Sequence, residues 1–333
     1  MAERVGSRVL IVGCGQLGSR HLQAVASLPQ VAEIEVVDPQ PEALALGRKR
    51  LQEIPDRPSS SATIHWLSSL DEAARGGDLC IVATQAQGRC QLVRTIAEQV
   101  GYSSFLLEKI VGQSIREIEE LEAFLRARRC VAWVNFKTRA YPIHQRITQR
   151  LDPDEPILFT AVGGNHGLAN NGVHTADLFA FYDHARHIEP VGACIDPVLH
   201  PSKRGNGLYD LSGTLQGSTE KGSHFTLSYA SDHSQSEQIM ITTKRYRAIV
   251  DHMQRWVVES DATTGWAWRP VPFEGDILVS AMTKAFAADI LTSGRCLLPT
   301  LDESLVAHRF ILSSLQTPFS RLLEREVELC PVT

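Results

Sequence analysis

Two side chains in this 333-residue sequence stand where proton and charge chemistry is easy to imagine. The first is Lys109, in "SSFLLEKIVGQS" (103–114), where an apolar run at Phe105, Leu106 and Leu107 meets Glu108 and Lys109 before Ile110 and Val111. An ammonium at the end of a buried strand can hydrogen-bond a substrate oxygen and stabilise a developing alkoxide. The same pattern also describes a strand that runs out into water. The second is His174, in "GGNHGLANNGVHTADLFAFY" (163–182), a strand–loop–helix sequence in which Asn171 is placed to cap the helix. A histidine in that first turn can serve as a general base or be a hydrogen-bonded structural residue. His174 and Asp177, three apart, are expected on one face, with Leu178 and Phe181 on the buried side. The chain has twelve histidines, His166 in the same loop among them, so rarity singles out none.

A third pattern binds rather than reacts. "VLIVGCGQLGSRH" places Gly13, Gly15 and Gly18 in G-x-G-x-x-G spacing between an apolar run and a helical one. In that context Gly13 makes the tight turn, Gly15 lets backbone approach a pyrophosphate, and Gly18 packs helix on strand. The free N–H groups of the helix start then face the anion. Asp38 ends the next apolar run, 20 residues beyond Gly18. A carboxylate there accepts from ribose hydroxyls and repels a 2′-phosphate, and Pro39 and Gln40 follow without an arginine. NAD is therefore expected over NADP. Cys14, inside the loop, reads as a small filler.

Positioning such groups requires a sheet with helices on both faces. Apolar runs at 8–13, 33–38, 63–66, 78–84, 104–109 and 130–136 alternate with helix-patterned segments such as "IREIEELEAFL" (115–125). This predicts a doubly wound parallel sheet. After residue 137 the texture changes. A helix opening with Pro142, the run "PILFTAVGG" (156–164) and the helix with His174 precede "GTLQGS", "SHFTLSYA", "EQIMITT", "RYRAIVD" and "RWVVES". These show partial two-residue alternation without intervening helices, as in a mainly antiparallel open sheet. Two helices close the chain, one ending at a C-cap Gly294, the other opening with a Thr300–Glu303 capping box. The expected division is residues 1–137, an α/β dinucleotide-binding domain, and 138–333, an α+β domain. The segment 55–61, "PDRPSSS", reads as a polar loop.

Composition narrows the class. The sequence is 43% hydrophobic and 21% charged, with a dispersed net charge of −5, which excludes an electrostatic nucleic-acid binder. The basic run "RARRC" (126–130) fits a helix C-terminus. Seven scattered cysteines without a C-x-x-C pair argue against a disulfide framework or zinc site and for a reducing compartment. With no signal-peptide pattern and no membrane-length apolar window, the expected location is the cytoplasm.

The combination of "GCGQLGSRH", Asp38, "EK" at 108–109, "VNFKTRAYP" (134–142), "NNGVHTADL" (170–178) and "LPTLDESLVAHRFI" resembles the Gfo/Idh/MocA oxidoreductases over essentially the whole chain. The resemblance implies a Rossmann domain, an open-sheet domain that commonly mediates homodimer or homotetramer formation, and NAD(P)-dependent oxidation or reduction of a sugar or cyclitol secondary alcohol. It implies that Lys109 contacts nicotinamide and substrate hydroxyl, that His174 exchanges the hydroxyl proton, and that Asn135 and Arg139 lie near the substrate. The expected catalytic set is Lys109, His174 and Asn170. The substrate set adds Asn135 and Arg139. The cofactor set is Gly13, Gly15, Gln16, Leu17, Gly18, Asp38, Thr84, Glu108 and Lys109, with no metal. Three positions depart from the family pattern. Ile110 stands where proline is usual, and because cis bonds are largely a proline property the turn is expected to be built differently. Asn170 stands where aspartate is common, and "TQAQGR" (84–89) lacks the usual Thr-Pro and histidine. Ile110 and Asn170 keep open the reading of a nucleotide-binding sensor without chemistry, and a third reading is a reductase of a non-sugar carbonyl or imine.

Overall fold

A computed structural model describes residues 6–54, 62–164 and 167–333. The polar loop 55–61 and His166 lie outside the described residues. The chain forms two compact units, each built from several segments. The first takes the chain through Gly112, Glu117–Asn135 and Asp276–Asp302, and the second takes Gln113–Arg116, Phe136–Gly275 and Glu303–Thr333. The sequence reading puts 138–333 in one domain, whereas Asp276–Asp302 clusters with the first unit. The reason is packing: the helix Val279–Ser293 lies against the first helix of the chain.

The first unit is a six-stranded parallel sheet of β1 (Ser7–Val12), β2 (Val31–Val37), β3 (Thr63–Leu67), β4 (Leu79–Val82), β5 (Ser104–Leu107) and β6 (Val131–Val134), in the order 3-2-1-4-5-6. Helices α1 (Gly18–Ala26), α2 (Pro41–Gln52), α3 (Arg89–Thr95) and α4 (Ile115–Ala127) alternate with the strands. Every side chain of β4 is fully buried, as are Phe105 and Leu107 of β5, which is why these strands are continuous apolar runs. Each such residue contributes about 1.5–3 kcal/mol of transfer free energy. The strand order reverses between β1 and β4, and ligands of such sheets sit beyond the strand C-termini at this point.

The second unit opens with α5 (Pro142–Thr148), Pro142 at its first position, followed by β7 (Leu158–Gly164) and α6 (Gly172–Asp183). Then come β8 (Glu189–Ile195), the short pair β9 (His200–Pro201) and β10 (Tyr209–Asp210), β11 (Gly213–Ser218), β12 (His224–Ala230), β13 (Gln238–Thr242), β14 (Tyr246–Asp251), β15 (Trp256–Asp261) and β16 (Arg269–Pro270). Eight of them make one sheet in the order 16-15-14-13-7-12-11-8, antiparallel except for β7 beside β12. One face is buried, with Phe159 and Phe225 of the sheet meeting Phe179 of α6 and Phe310 of the helix Leu301–Leu322. The stacked Phe179–Phe225 centroids are 4.9 Å apart, a geometry that adds to area burial. The other face leaves Leu158, Val162 and Met240 exposed.

The helix ends meet the local expectations in part. Gly294 ends its helix in the left-handed region, φ 68°, and Leu301 begins the last helix directly after Thr300. Asn171 precedes α6, but its side chain makes no cap bond. Nor is α6 half-buried as its pattern implies. Asp177 is buried along with Leu178, while Phe181 is partly exposed, because the helix is packed on nearly all sides.

Candidate functional site

The glycine loop leaves β1 at the sheet's reversal point. Gly13 has φ +89°, and a Cβ there would lie 2.9 Å from the Ala83 carbonyl carbon beyond β4. A Cβ on Gly18 would come within 1.8 Å of the Gly13 carbonyl oxygen. Gly15 is different: nothing stands within 4 Å of where its Cβ would be. That open cradle, beside backbone N–H groups at the start of α1, fits a dinucleotide pyrophosphate. Leu17 occupies the N-cap of α1. Asp38 follows β2, 8% exposed, and its carboxylate accepts the Cys14 N–H at 2.7 Å and the Gln40 N–H at 2.9 Å. These bonds lock the carboxylate onto the loop. Cys14 is buried, and burial with Asp38 nearby pushes its thiol up to about 12, in line with a filler role.

Arg50 is absent from the sequence-based set. It projects from the last turn of α2, 9% exposed, and donates to the Gln16 carbonyl, the Gln16 side-chain oxygen and Ser19 Oγ. It therefore braces the glycine loop from behind. Sequence offers no local signal for it, since 34 residues separate it from Gln16.

At the end of β5, Glu108 and Lys109 are 4% and 5% exposed, so the strand does not run out into water. The Lys109–Ile110 peptide bond is cis, which corrects the expectation that the turn would be built differently without proline. The guanidinium of Arg89, buried at the start of α3, donates to the carbonyls of Thr84, Glu108 and Ile110 and holds the two loops together. Thr84 thus contributes its carbonyl to this clasp, and its hydroxyl donates to the Gln85 carbonyl at 3.3 Å.

Glu108, expected among the cofactor contacts, has its Oε1 turned elsewhere. It accepts from Asn135 Nδ2 at 2.6 Å and lies 2.9 Å from Nε2 of the fully buried His21, whose Nδ1 is 2.9 Å from Thr283 Oγ1. Burial would raise the Glu108 carboxyl, but the bond and charge of His21, the Asn135 amide and Lys109 outweigh it and hold it at about 2. A depressed carboxylate pKa contributes stability that is complete above the ordinary value of 4.5 and is lost as pH falls toward 2. The contribution is on the order of 3 kcal/mol. Urea unfolding at pH 7, 5 and 3 therefore shows a steeper acid loss for the native protein than for Glu108→Gln, which removes the charge and keeps an acceptor. Equal pH slopes would refute this.

In the second unit, His174 is half-buried in the first turn of α6, its N–H on the Asn171 carbonyl at 2.9 Å. Its ring meets Phe136 edge-on at 5.7 Å. Asp177, one turn further, receives both prongs of Arg139, Nε at 2.8 Å and Nη2 at 2.5 Å. Full burial still pushes the Asp177 carboxyl up to about 6, against the Arg139 charge. Asn170 donates to Asp210 at 2.6 Å and accepts the Thr333 N–H at 3.1 Å. Two residues expected near the substrate thus bond to protein: Arg139 to Asp177, and Asn170 to the ends of other segments. Asn135 bonds Glu108 through its nitrogen, while its buried Oδ1 has no hydrogen-bond partner among the described residues. Among the described residues no cluster of three or more His, Cys, Asp or Glu is placed to hold a metal ion. No helix among them is long and apolar enough to cross a membrane.

Residues 7–136 match the model of the Gfo/Idh/MocA oxidoreductase family, NAD-binding Rossmann fold. No functionally curated protein matches the sequence. Solved structures with the same fold include UDP-N-acetylglucosamine 3-dehydrogenase GnnA from Acidithiobacillus ferrooxidans, 18% identical over 98% of both chains with TM-score 0.68. An oxidoreductase from Agrobacterium radiobacter in complex with NAD+, L-tartaric acid and magnesium is 13% identical, covering 95% of this chain and 97% of that one, TM-score 0.74. KijD10, a 3-ketoreductase from Actinomadura kijaniata in complex with TDP-benzene and NADP, is 17% identical over 93% and 96%, TM-score 0.70. At these identities the structures speak for fold alone. Through its glycine loop, its strand order and the family match, the segment 7–136 is a Rossmann domain of the NAD-binding kind found in the Gfo/Idh/MocA oxidoreductase family.

Proposed function

We propose that the protein transfers a hydride between NAD(H) and a secondary alcohol or ketone of a sugar, cyclitol or sugar derivative. The observation that carries this reading is the buried Lys109 ammonium directly beyond β5, on the C-terminal side of the nucleotide-binding sheet. The sugar-nucleotide dehydrogenase and the ketoreductase among the structural neighbours support the substrate class. When bound, the nicotinamide supplies the hydride acceptor or donor. Gly15 leaves room for the pyrophosphate, and Asp38 receives the ribose hydroxyls. Lys109 donates a hydrogen bond to the substrate oxygen and stabilises negative charge as the O–H proton leaves. His174 takes that proton in oxidation and returns it in reduction. Initial rates over a panel of sugars, cyclitols and nucleotide sugars, with NADH fluorescence as readout, test the reading. Tight NADH binding with no turnover across the panel would favour a sensor. Asn170 supports that second reading, because its amide is spent on Asp210 and Thr333 and brings no carboxylate to His174.

The preference for NAD rests on Asp38. The variant Asp38→Asn, which keeps an acceptor for the loop, should tighten NADPH binding about 10-fold and weaken NADH binding less than that, as removal of one repulsive charge implies. Fluorescence titration with both cofactors checks this, and an unchanged NADPH affinity would count against it.

A cytoplasmic location fits the odd, scattered cysteines. Self-association belongs to the same proposal. Leu158, Val162 and Met240 are 53%, 45% and 42% exposed on alternate positions of the open sheet face, a surface of the kind that pairs with a second copy. Sedimentation should find a dimer or tetramer, and Leu158→Glu with Met240→Glu should give monomers that still bind NADH. A monomeric native protein would contradict this.

A further inference from the structure

Beyond the reacting groups, the second unit holds a cavity of about 510 Å³ that begins at Asn170 and Asn171, one turn ahead of His174. Its other walls come from β9, β10 and the turn joining them, and include His200, Ser202, Lys203 and Arg204. A few contacts tie the turn to its neighbours. Tyr209 pairs with Pro201 and Asp210 with His200, Ser202 Oγ accepts the Arg204 N–H at 3.2 Å, and Arg204 Nη1 donates to the Thr333 carbonyl at 3.4 Å. The one carboxylate lining the cavity, Asp210, is turned onto protein donors: the Ala169 N–H at 2.9 Å, the Leu211 N–H at 2.8 Å and Asn170 Nδ2 at 2.6 Å. His200 Nε2 lies 3.0 Å from Ser212 Oγ, which donates to Asp196. The walls therefore present the exposed Lys203 ammonium, the Arg204 guanidinium with one nitrogen on Thr333, a histidine, and the Asn171 amide, which makes no helix-cap bond.

We propose that this cavity is a phosphate-binding subsite that holds the substrate by a phosphate or diphosphate group on the sugar. The volume is in the range of small-molecule sites and exceeds what one phosphate fills. Lysine and arginine together on a polar wall are the side chains that recognise phosphate oxygens. Its place one helical turn from His174 puts the anion at one end of a sugar whose reacting carbinol is near the histidine. The proposal rests on the oxidoreductase reading only for the word substrate, because the binding of the phosphate can be measured without turnover.

The test is calorimetric titration with UDP, glucose 1-phosphate, glucuronate and glucose, all at saturating NADH so that the nucleotide site is filled. Lys203 is exposed, so Lys203→Glu is not expected to perturb folding, and Lys203→Arg should restore binding. The expected result is UDP or glucose 1-phosphate binding that weakens at least about 10-fold in Lys203→Glu, with NADH affinity unchanged. Loss for UDP alone identifies a diphosphate as the recognised group, and loss for glucose 1-phosphate a monoester. Phosphate binding indifferent to Lys203→Glu overturns the subsite. So does glucuronate or glucose binding more tightly than either phosphate. Lys203-dependent binding without turnover of any phosphorylated sugar would leave the subsite standing and remove the dehydrogenase reading. Turnover of neutral sugars unaffected by Lys203→Glu would do the reverse.

Discussion

Lys109→Ala should lower kcat by about 10³-fold or more while NADH affinity changes less than about threefold. The ammonium is the group proposed to meet the substrate oxygen, and it sits in a 5% exposed position where charge is weakly screened. Its removal costs no cradle for the cofactor, since the glycine loop and Asp38 are held by Arg50 and by backbone N–H groups instead. Nor should the turn collapse, because Glu108 keeps His21 and Asn135. Stopped-flow NADH consumption and fluorescence titration on the same preparation separate the two effects, and Lys109→Met controls for lost packing. Loss of NADH binding with chemistry intact at saturating cofactor would show that the roles have been assigned the wrong way round.

Gly15→Val should abolish NADH binding, raising Kd more than about 100-fold, without unfolding the protein. The two neighbouring glycines make the contrast informative. Gly13 and Gly18 are required by the fold itself, through a positive φ at one and near-collision of any Cβ at the other. Their substitution should lower the melting temperature. At Gly15 an added Cβ has nothing within 4 Å, so the cost of a substitution there falls mainly on what enters from outside. A melting temperature close to that of the native protein, together with lost NADH binding, is the expected outcome. Retained binding in a folded Gly15→Val protein would move the pyrophosphate elsewhere.

What could be read from sequence and what could not divides along a physical line. The glycine loop, Asp38 and the strand carrying Glu108 and Lys109 are legible because each is a local pattern: a spacing, a strand end, a run of buried residues. The six parallel strands followed for the same reason. The edge strand β8 carries no such pattern, because "EPVGACI" contains Pro190 and Gly192 and buries almost nothing, the composition of a tolerated edge. The network behind Glu108 has no local signature either. Thr283 reaches His21 across 262 residues, and no periodicity in either segment announces the other. Likewise Arg139 and Asp177, 38 residues apart, each look free to meet a ligand until the fold shows them bonded to one another. Asn170 is the same case, with partners at Asp210 and Thr333. Sequence names residue types that can do chemistry, but only packing tells which of them the protein has already used. The cis bond at Lys109–Ile110 belongs here too, since residue identity alone points the other way.

Hydride transfer at a carbinol carbon can be followed by isotope labelling. Incubating the protein with a keto-sugar from the panel and NADH carrying deuterium at both C4 positions of the nicotinamide, then measuring the mass of the product, should place one deuterium on the carbon that becomes the secondary alcohol. The label should be absent from the product of the Lys109→Ala protein over the same interval. Unchanged keto-sugar after incubation of every panel member with saturating labelled NADH, or reduced product without deuterium, would contradict hydride transfer from NADH to a carbonyl carbon.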